Sequence, residues 1–102
     1  MCNPKSTREQ RSTALFPLGQ IVATPGALEV LDRYAINAMD LIKRHQSGDW
    51  GNVPPSDAEE NMSSVENGWR ILSSYAISDD QNIWIITEAD RSVTTLLLPE
   101  EY

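Results

Sequence analysis

The last third of the chain constrains its fold most, because it holds three short β-rich runs separated by two turns. The runs cover residues 69–77, 83–88 and 93–98, and the segments between them are rich in Asp, Asn and Ser. Short β-rich runs joined by turn-forming residues are typical of consecutive antiparallel strands. We therefore predict a three-stranded antiparallel meander, with the doubly apolar second run as its central strand.

Capping patterns predict three short helices ahead of the meander. Thr24 precedes Pro25, which is a common helix start, and Asn37 lies three residues ahead of an acid. Residues 56–59 read Ser-Asp-Ala-Glu, the pattern of a capping box, so Ser56 is predicted to be the N-cap of the third helix. Between the first apolar residues and the first helix, Gln20–Ala23 favours an extended segment that pairs with an edge of the meander.

The third predicted helix carries an apolar stripe that places aromatic residues in the core. Ala58, Met62, Val65 and Trp69 recur at spacings of four, three and four residues. Trp69 is therefore predicted to be buried, and Trp84 is predicted to be buried by its position in the central strand.

The predicted fold class is α+β, with three short helices packed on a three-stranded antiparallel β-meander and Gln20–Ala23 as a candidate extra strand. A chain of 102 residues is long enough for one hydrophobic core. Residues 1–14 are polar and lack periodicity, so we expect a flexible N-terminal arm followed by a single α+β domain over residues 15–102.

Charge is unevenly distributed and limits the classes of partner. The whole chain carries −7, but Lys5, Arg8 and Arg11 against Glu9 make the first sixteen residues +2, which leaves −9 for the remainder. An acidic body repels phosphate backbones and anionic lipid surfaces. We expect no direct binding to nucleic acid or to membranes, whereas basic protein partners are permitted.

The remaining composition gives no sign of export or of a cofactor. Cys2 is the only cysteine, so no internal disulfide can form, and no apolar run resembles a signal peptide or a membrane span. Metal-ligand spacings, phosphate-binding glycine loops and nucleophile motifs are missing from the sequence. We expect a cytoplasmic protein without a cofactor.

His45 is the one histidine and lies on the apolar stripe of the second predicted helix, with Asp49 nearby. It could act as a general acid or base whose pKa is set by burial and by that carboxylate. The alternative, which we favour, is a structural histidine at the edge of the core, because the sequence supplies no catalytic partner at a readable spacing.

The turn at residues 87–92 holds a dense polar cluster. Glu88 and Arg91 could polarise a substrate or bind a phosphate. We favour a structural turn in which Asp90 bonds to its own backbone and Arg91 pairs with Glu88. Similarly, Trp50 is either a plug over the core or an exposed anchor for a partner, and we favour the plug.

Four segments together resemble a known group of proteins. They are residues 18–27 (Leu-Gly-Gln-Ile-Val-Ala-Thr-Pro-Gly-Ala), 44–51 with Arg-His and Gly-Asp-Trp-Gly, 84–92, and the Leu-Leu-Pro-Glu-Glu-Tyr end at 97–102. Over residues 15–102 the chain resembles a family of small uncharacterised proteins, often labelled plasmid-related, of bacterial plasmids and integrative elements. The resemblance implies a mobile-element origin and no established activity, so it assigns no functional residue.

The leading functional hypothesis is a non-enzymatic interaction domain that binds a host or element-encoded protein. The acidic body and the lack of a catalytic motif favour it, with Asp49, Trp50, Asp90 and Arg91 as candidate protein-binding residues. A homodimer is also possible through an exposed edge of the first or third strand of the meander.

The alternative hypothesis is a small ribonuclease-like domain of the barnase or RelE type, by analogy of fold alone. The candidate catalytic residues are then His45, Arg70, Glu88 and Arg91. The −9 body argues against it, because RNA would have to approach through a repulsive field. Convergence of these side chains on one cleft would support an enzyme, whereas scattering would favour the interaction domain.

Overall fold

The computed structural model describes residues 14–102, which form a four-stranded sheet and three α-helices. In chain order the elements are β1 (Gln20–Ala23), α1 (Pro25–Arg33), α2 (Ala38–Gln46), α3 (Pro55–Asn67), β2 (Ile71–Ser78), β3 (Gln81–Thr87), β4 (Val93–Leu97) and a 3₁₀ turn (Pro99–Glu101). The predicted α+β class with three helices is confirmed. The predicted arm at residues 1–14 lies, except for residue 14, outside the described part of the chain.

The sheet has the strand order β1-β4-β3-β2, in which β2, β3 and β4 form the predicted antiparallel meander. β1 adds a fourth strand and runs parallel to β4, so a purely antiparallel three-stranded sheet is incorrect. Two backbone bonds fix its ends, since the Gln20 N–H donates to the Ser92 carbonyl at 2.9 Å and the Thr24 N–H donates to the Leu96 carbonyl at 3.0 Å. The short segment Gln20–Ala23 does pair with the meander edge, as predicted.

All three helices pack on one face of this sheet, called here the helix face. The main core cluster joins α1 and α2 to inward residues of the strands, including Tyr75, Ile83, Ile85 and Leu96. A second cluster of Phe16, Trp50 and Ile71 lies beside it, packed against residues of α3. Among the described residues, no helix has both the length and the apolar character needed to span a membrane.

Two of the three predicted N-caps are confirmed, and the third is wrong by two residues. The Thr24 hydroxyl accepts the Ala27 N–H, and the Asn37 amide oxygen accepts the Met39 N–H. α3 instead begins at Pro55, with Pro54 as an N-cap that makes no side-chain bond, so no capping box forms at Ser56. The second proline explains the shift, because its fixed φ suits the first helical position.

The apolar stripe predicted for α3 is also partly wrong. Trp69 is 55% exposed and Met62 is 46% exposed, whereas Asn61 and Ser64 are the buried residues of this helix. Gly68 takes a left-handed conformation with φ +74° and ends the helix, so the helical period no longer applies at residue 69.

The C-terminal turn folds back onto the start of α1. The Glu101 carboxylate accepts the Thr24 hydroxyl and the Gly26 N–H, and it also accepts the Leu98 N–H. These bonds, led by the one from Thr24, lower the pKa of Glu101. Because α1 has no acid in its own first turn, Glu101 supplies the negative charge that its N-terminus favours.

The outer edge of β2 is covered by side-chain and loop bonds. The Asn61 amide both accepts the Leu72 N–H at 3.2 Å and donates to the Leu72 carbonyl at 2.7 Å. At Ser74, two residues further along β2, the backbone N–H donates to the Trp50 carbonyl and the backbone carbonyl accepts the Asn52 N–H. Since β1 covers β4, both meander edges that we predicted as dimer interfaces are already occupied.

Candidate functional site

His45 lies at the centre of a buried chain of hydrogen bonds. Its Nδ1 is 2.6 Å from the Ser73 hydroxyl, and its Nε2 is 2.9 Å from the Thr87 hydroxyl. The Thr87 hydroxyl is 2.8 Å from that of Thr94, which donates to the Leu18 carbonyl at 2.7 Å. The four side chains have no exposed surface, so this network joins α2 to three strands inside the core.

Three bond directions in this network follow from its last member. A carbonyl only accepts, so Thr94 donates to Leu18 and must accept the proton of Thr87. Thr87 then accepts from Nε2 of His45, so Nε2 carries a proton. Nδ1 accepts the Ser73 proton when the ring is neutral.

The surroundings of His45 oppose a positive charge. The aromatic rings of Phe16 and Trp50 pack on it in T-shaped contacts, with centroid distances of 5.2 and 6.0 Å. Burial, and secondly the charge of Arg91, lower the pKa of His45 from its usual 6.5 to about 4. The favoured interpretation of a structural histidine is supported, because a ring with no exposed surface cannot meet a substrate.

Arg91 binds backbone carbonyls and no carboxylate. Its Nη1 donates to the carbonyls of Trp69 at 2.7 Å and Glu88 at 3.0 Å, with a longer bond to Ala89, and its Nη2 donates to Ser64 at 2.9 Å. The predicted pairing with Glu88 thus goes to the Glu88 carbonyl. Because the Ser64 carbonyl lies in the last turn of α3, the guanidinium also complements the negative end of that helix.

We expect Arg91→Lys to lower the free energy of unfolding by about 2 kcal/mol, because an ammonium cannot reproduce the planar set of bonds that joins α3 to the β3–β4 turn. Urea denaturation measures this loss. Arg33→Lys is the matched control, since Arg33 is exposed and pairs with the exposed Glu29, so its effect should be about 0.5 kcal/mol or less. Equal losses in both variants would contradict the structural role of Arg91.

The other predicted protein-binding residues are dispersed. Trp50 is only 6% exposed, so an exposed anchor there is wrong and the plug is confirmed. Asp49 is exposed, but its carboxylate accepts Arg44 Nε at 2.7 Å and the Gly51 N–H at 3.2 Å. The bond from Arg44 is the main reason that the pKa of Asp49 is lowered.

Asp90 organises its own turn, as predicted. Its carboxylate accepts both the N–H and the hydroxyl of Ser92, at 3.0 and 2.6 Å, and these bonds lower its pKa. Glu88 closes the same turn through its backbone, donating to Val93. These contacts are those of a structural turn.

Arg70 lies away from His45, on the opposite face of the sheet, called here the open face. Strand register places on this face side chains that include Leu72, Ser74, Trp84, Ile86, Thr95 and Leu97, and none of these six belongs to the core clusters that the helices form. Ile86 and Leu97 are nevertheless buried, at 4% and 6% exposed. Trp84, which we predicted to be core, is half-buried there, and its ring meets the ring of Tyr102 edge to face at 5.7 Å. The Arg70 guanidinium lies 5.6 Å above the same Tyr102 ring.

A cleft opens beside the open face, between α3 and β2. It has a volume of about 220 Å³ and is lined by Asp57, Glu60, Asn61, Ser64, Arg70 and Leu72. Two carboxylates and one guanidinium give it a net negative lining. Of the four candidate catalytic residues, only Arg70 reaches this cleft.

His45 and Arg91 lie on the same side of the sheet, where both contact Phe16. Arg70 lies at the cleft beside the other face, so the four candidate catalytic residues do not converge, which is the outcome that favours the interaction domain. In the described part of the chain, no group of three or more His, Cys, Asp or Glu side chains could hold a metal ion. Comparison of the chain with protein-family models, with curated proteins and with solved structures gives no match.

Sequence reasoning missed the partners of His45 and the role of Tyr102. A signal existed for Ser73, because it is a polar residue at an inward position of an alternating strand. Tyr102 gave no signal, since a terminal residue has no periodic context.

Proposed function

We propose that this protein is a non-enzymatic protein-binding domain, and that its binding surface is the open face together with the adjoining acidic cleft. The observation that carries the proposal is the aromatic pair of Trp84 and Tyr102 on the sheet face whose side chains lie outside the helix-packed core clusters. Tyr102 is 65% exposed, and large aromatic side chains are over-represented among residues that dominate binding energy.

The negative charge of this surface favours a basic partner. Helix α3, which borders the cleft, contains four acids and no Lys or Arg. The domain as a whole carries −9 after its first sixteen residues. Electrostatic complementarity of this kind accelerates association with cationic partners and disfavours anionic ones.

The aromatic rings favour arginine or lysine in the partner for a second reason. A cation over the face of a Tyr or Trp ring gains about 0.5–2 kcal/mol. Arg70 already occupies such a position over Tyr102, so the geometry is available at this surface. We therefore propose a partner segment with alternating basic and apolar side chains, from a protein of the bacterial host or of the mobile element.

The geometry does not favour a ribonuclease. A general acid or base must approach its substrate to hydrogen-bonding distance, and His45 is enclosed by its own network. Arg91 is engaged with four carbonyls, which leaves Arg70 as the one candidate that faces a cleft.

The test is capture of partners from a bacterial lysate by the intact protein and by two matched variants. We expect Tyr102→Ala to weaken binding of the captured basic protein about tenfold or more, which corresponds to about 1.4 kcal/mol. Tyr34→Ala is the control, because Tyr34 is a similarly exposed aromatic at the end of α1. Isothermal titration with the purified partner then gives the affinities.

Three results would overturn the proposal. One is a captured protein that Tyr102→Ala retains and Tyr34→Ala loses, which would place the surface on the helix face. Another is an acidic partner whose affinity is unchanged by the double variant Asp57→Asn, Glu60→Gln. Recovery of RNA that is cleaved by the intact protein would restore the ribonuclease hypothesis.

A further inference from the structure

The outer edge of β1 is the free edge of the sheet within residues 14–102. β1 ends the strand order, and the N–H groups of Gln20 and Thr24 point toward β4, where they donate to Ser92 and Leu96. Because successive residues of a strand direct their backbone groups to opposite sides, those of Ile21 and Ala23 point away from the sheet. These groups form a template for another strand.

β1 has only four residues, which limits strand pairing, but it lacks several other features by which proteins usually prevent it. It contains no charged residue, no proline and no bulge. Its two β-branched side chains are partly accessible, with Ile21 41% and Val22 38% exposed. The outer edge of β2 differs, because its outward backbone groups are bonded at Leu72 and Ser74.

The charge distribution favours a second copy of the chain as the molecule that pairs with the outer edge of β1. Between Arg11 and Glu29 the sequence carries no charged residue, and β1 lies in the middle of this neutral run. Elsewhere two copies of so acidic a body repel one another, so a neutral edge is where they can approach at the least electrostatic cost. A basic partner, in contrast, would meet no charged side chain within β1 itself.

We propose that the protein forms a symmetric homodimer in which β1 pairs antiparallel with β1 of a second copy, centred on Ile21. A two-fold axis perpendicular to the sheet places each residue opposite a residue on the same face, and Ile21 opposite itself satisfies this condition. The two Ile21 residues then exchange both of their outward backbone bonds. The sheet becomes continuous across the dimer, and the open faces of both copies stay accessible.

The dimer is independent of the proposed protein-binding function, because it uses the edge of the sheet and not its open face. Sedimentation equilibrium of the full chain over a wide range of concentration is the first test. We expect a reversible monomer–dimer equilibrium whose dissociation constant Ile21→Lys raises about tenfold or more, since two like charges would face each other at the centre.

Leu28→Lys is the matched control for that variant. Leu28 lies in the same neutral run and is 56% exposed, but it belongs to α1, so this variant should dimerise like the unaltered protein. A monomer at all concentrations for the unaltered chain would overturn the proposal. An equal loss of dimer in both lysine variants would overturn it too, because the effect would then come from net charge.

Amide hydrogen exchange provides a readout that needs no variant. In the dimer, the amides of Ile21 and Ala23 should be protected at high concentration and exchange faster on dilution, while those of Val22 and Thr24 stay protected. Protection of Ile21 and Ala23 that does not change with concentration would contradict the dimer, because it would show that the edge is covered within one chain.

Discussion

Lowering the pH from about 7 to about 4 should remove about 3 kcal/mol from the free energy of unfolding through His45 alone. In the folded protein the pKa of His45 is lowered to about 4, whereas the unfolded chain takes up the same proton near 6.5. Between these values the unfolded state binds more protons, so stability rises with pH through this window and is fully present above it. Urea denaturation at several pH values measures the slope.

The matched variant for this prediction is His45→Gln. Glutamine can donate and accept within the buried network but does not titrate, so the variant should lose the part of the slope that His45 contributes. Below about pH 5 it should keep the slope of carboxyls such as Asp49 and Glu101, whose pKa values are lowered in the folded protein. The comparison depends on the difference in slope, so it remains valid even if the variant is less stable at every pH. A parallel slope in the two proteins, or a folded-state pKa of His45 near 6.5 measured by NMR, would contradict the neutral buried ring.

Gly51→Ala should destabilise the fold by about 3 kcal/mol or more, because the position combines a left-handed backbone with direct backbone contact. Gly51 has φ +79°, and a Cβ atom there would overlap the carbonyl oxygen of Ser74 on the neighbouring strand. The loop could relieve the overlap only by separating from β2, which would break the bonds of Ser74 to Trp50 and Asn52. Thermal and urea denaturation measure the loss.

Gly68→Ala measures the loss of stability that a left-handed backbone conformation causes without a steric overlap. Gly68 also has a positive φ, +74°, but a Cβ there meets nothing within 4 Å, so only about 1 kcal/mol should be lost. The difference between the two variants therefore reports the close approach of the Gly51 loop to β2. Equal losses would show that the loop is not held against the strand, and fast exchange of the Asn52 amide in the unaltered protein would show the same.

Features set by neighbouring residues could be predicted from the sequence. The turns around residues 79–80 and 89–92, the caps Thr24 and Asn37 and the end of α3 at Gly68 were all predicted correctly. In each of them the side chain bonds to, or sterically fits, a backbone only a few residues away. The strands of the meander were predictable for the related reason that their period of two is a local property.

A prediction failed where we continued the apolar period of a helix past the residue at which the helix ends. Trp69 was predicted to be core because it continues the stripe of α3, but Gly68 reverses the chain before it. Asn61 shows the opposite error, because it is polar and lies off the predicted apolar stripe but is buried. Its side-chain amide bonds to the backbone of Leu72 at the edge of β2. Only the packing of α3 beside that edge makes this burial favourable.

The sequence alone determined which segments become helices, strands and turns, that His45 lies on an apolar helix face, and that the body of the protein is acidic. The tertiary structure decided that β1 runs parallel to β4, that one sheet face is open, and that Arg91 binds carbonyls. It also decided that His45 is neutral and enclosed, because the hydroxyls that hold it belong to Ser73 and Thr87, 28 and 42 residues away along the chain. Contacts between residues so far apart depend on how the elements pack, and local propensity carries no information about them.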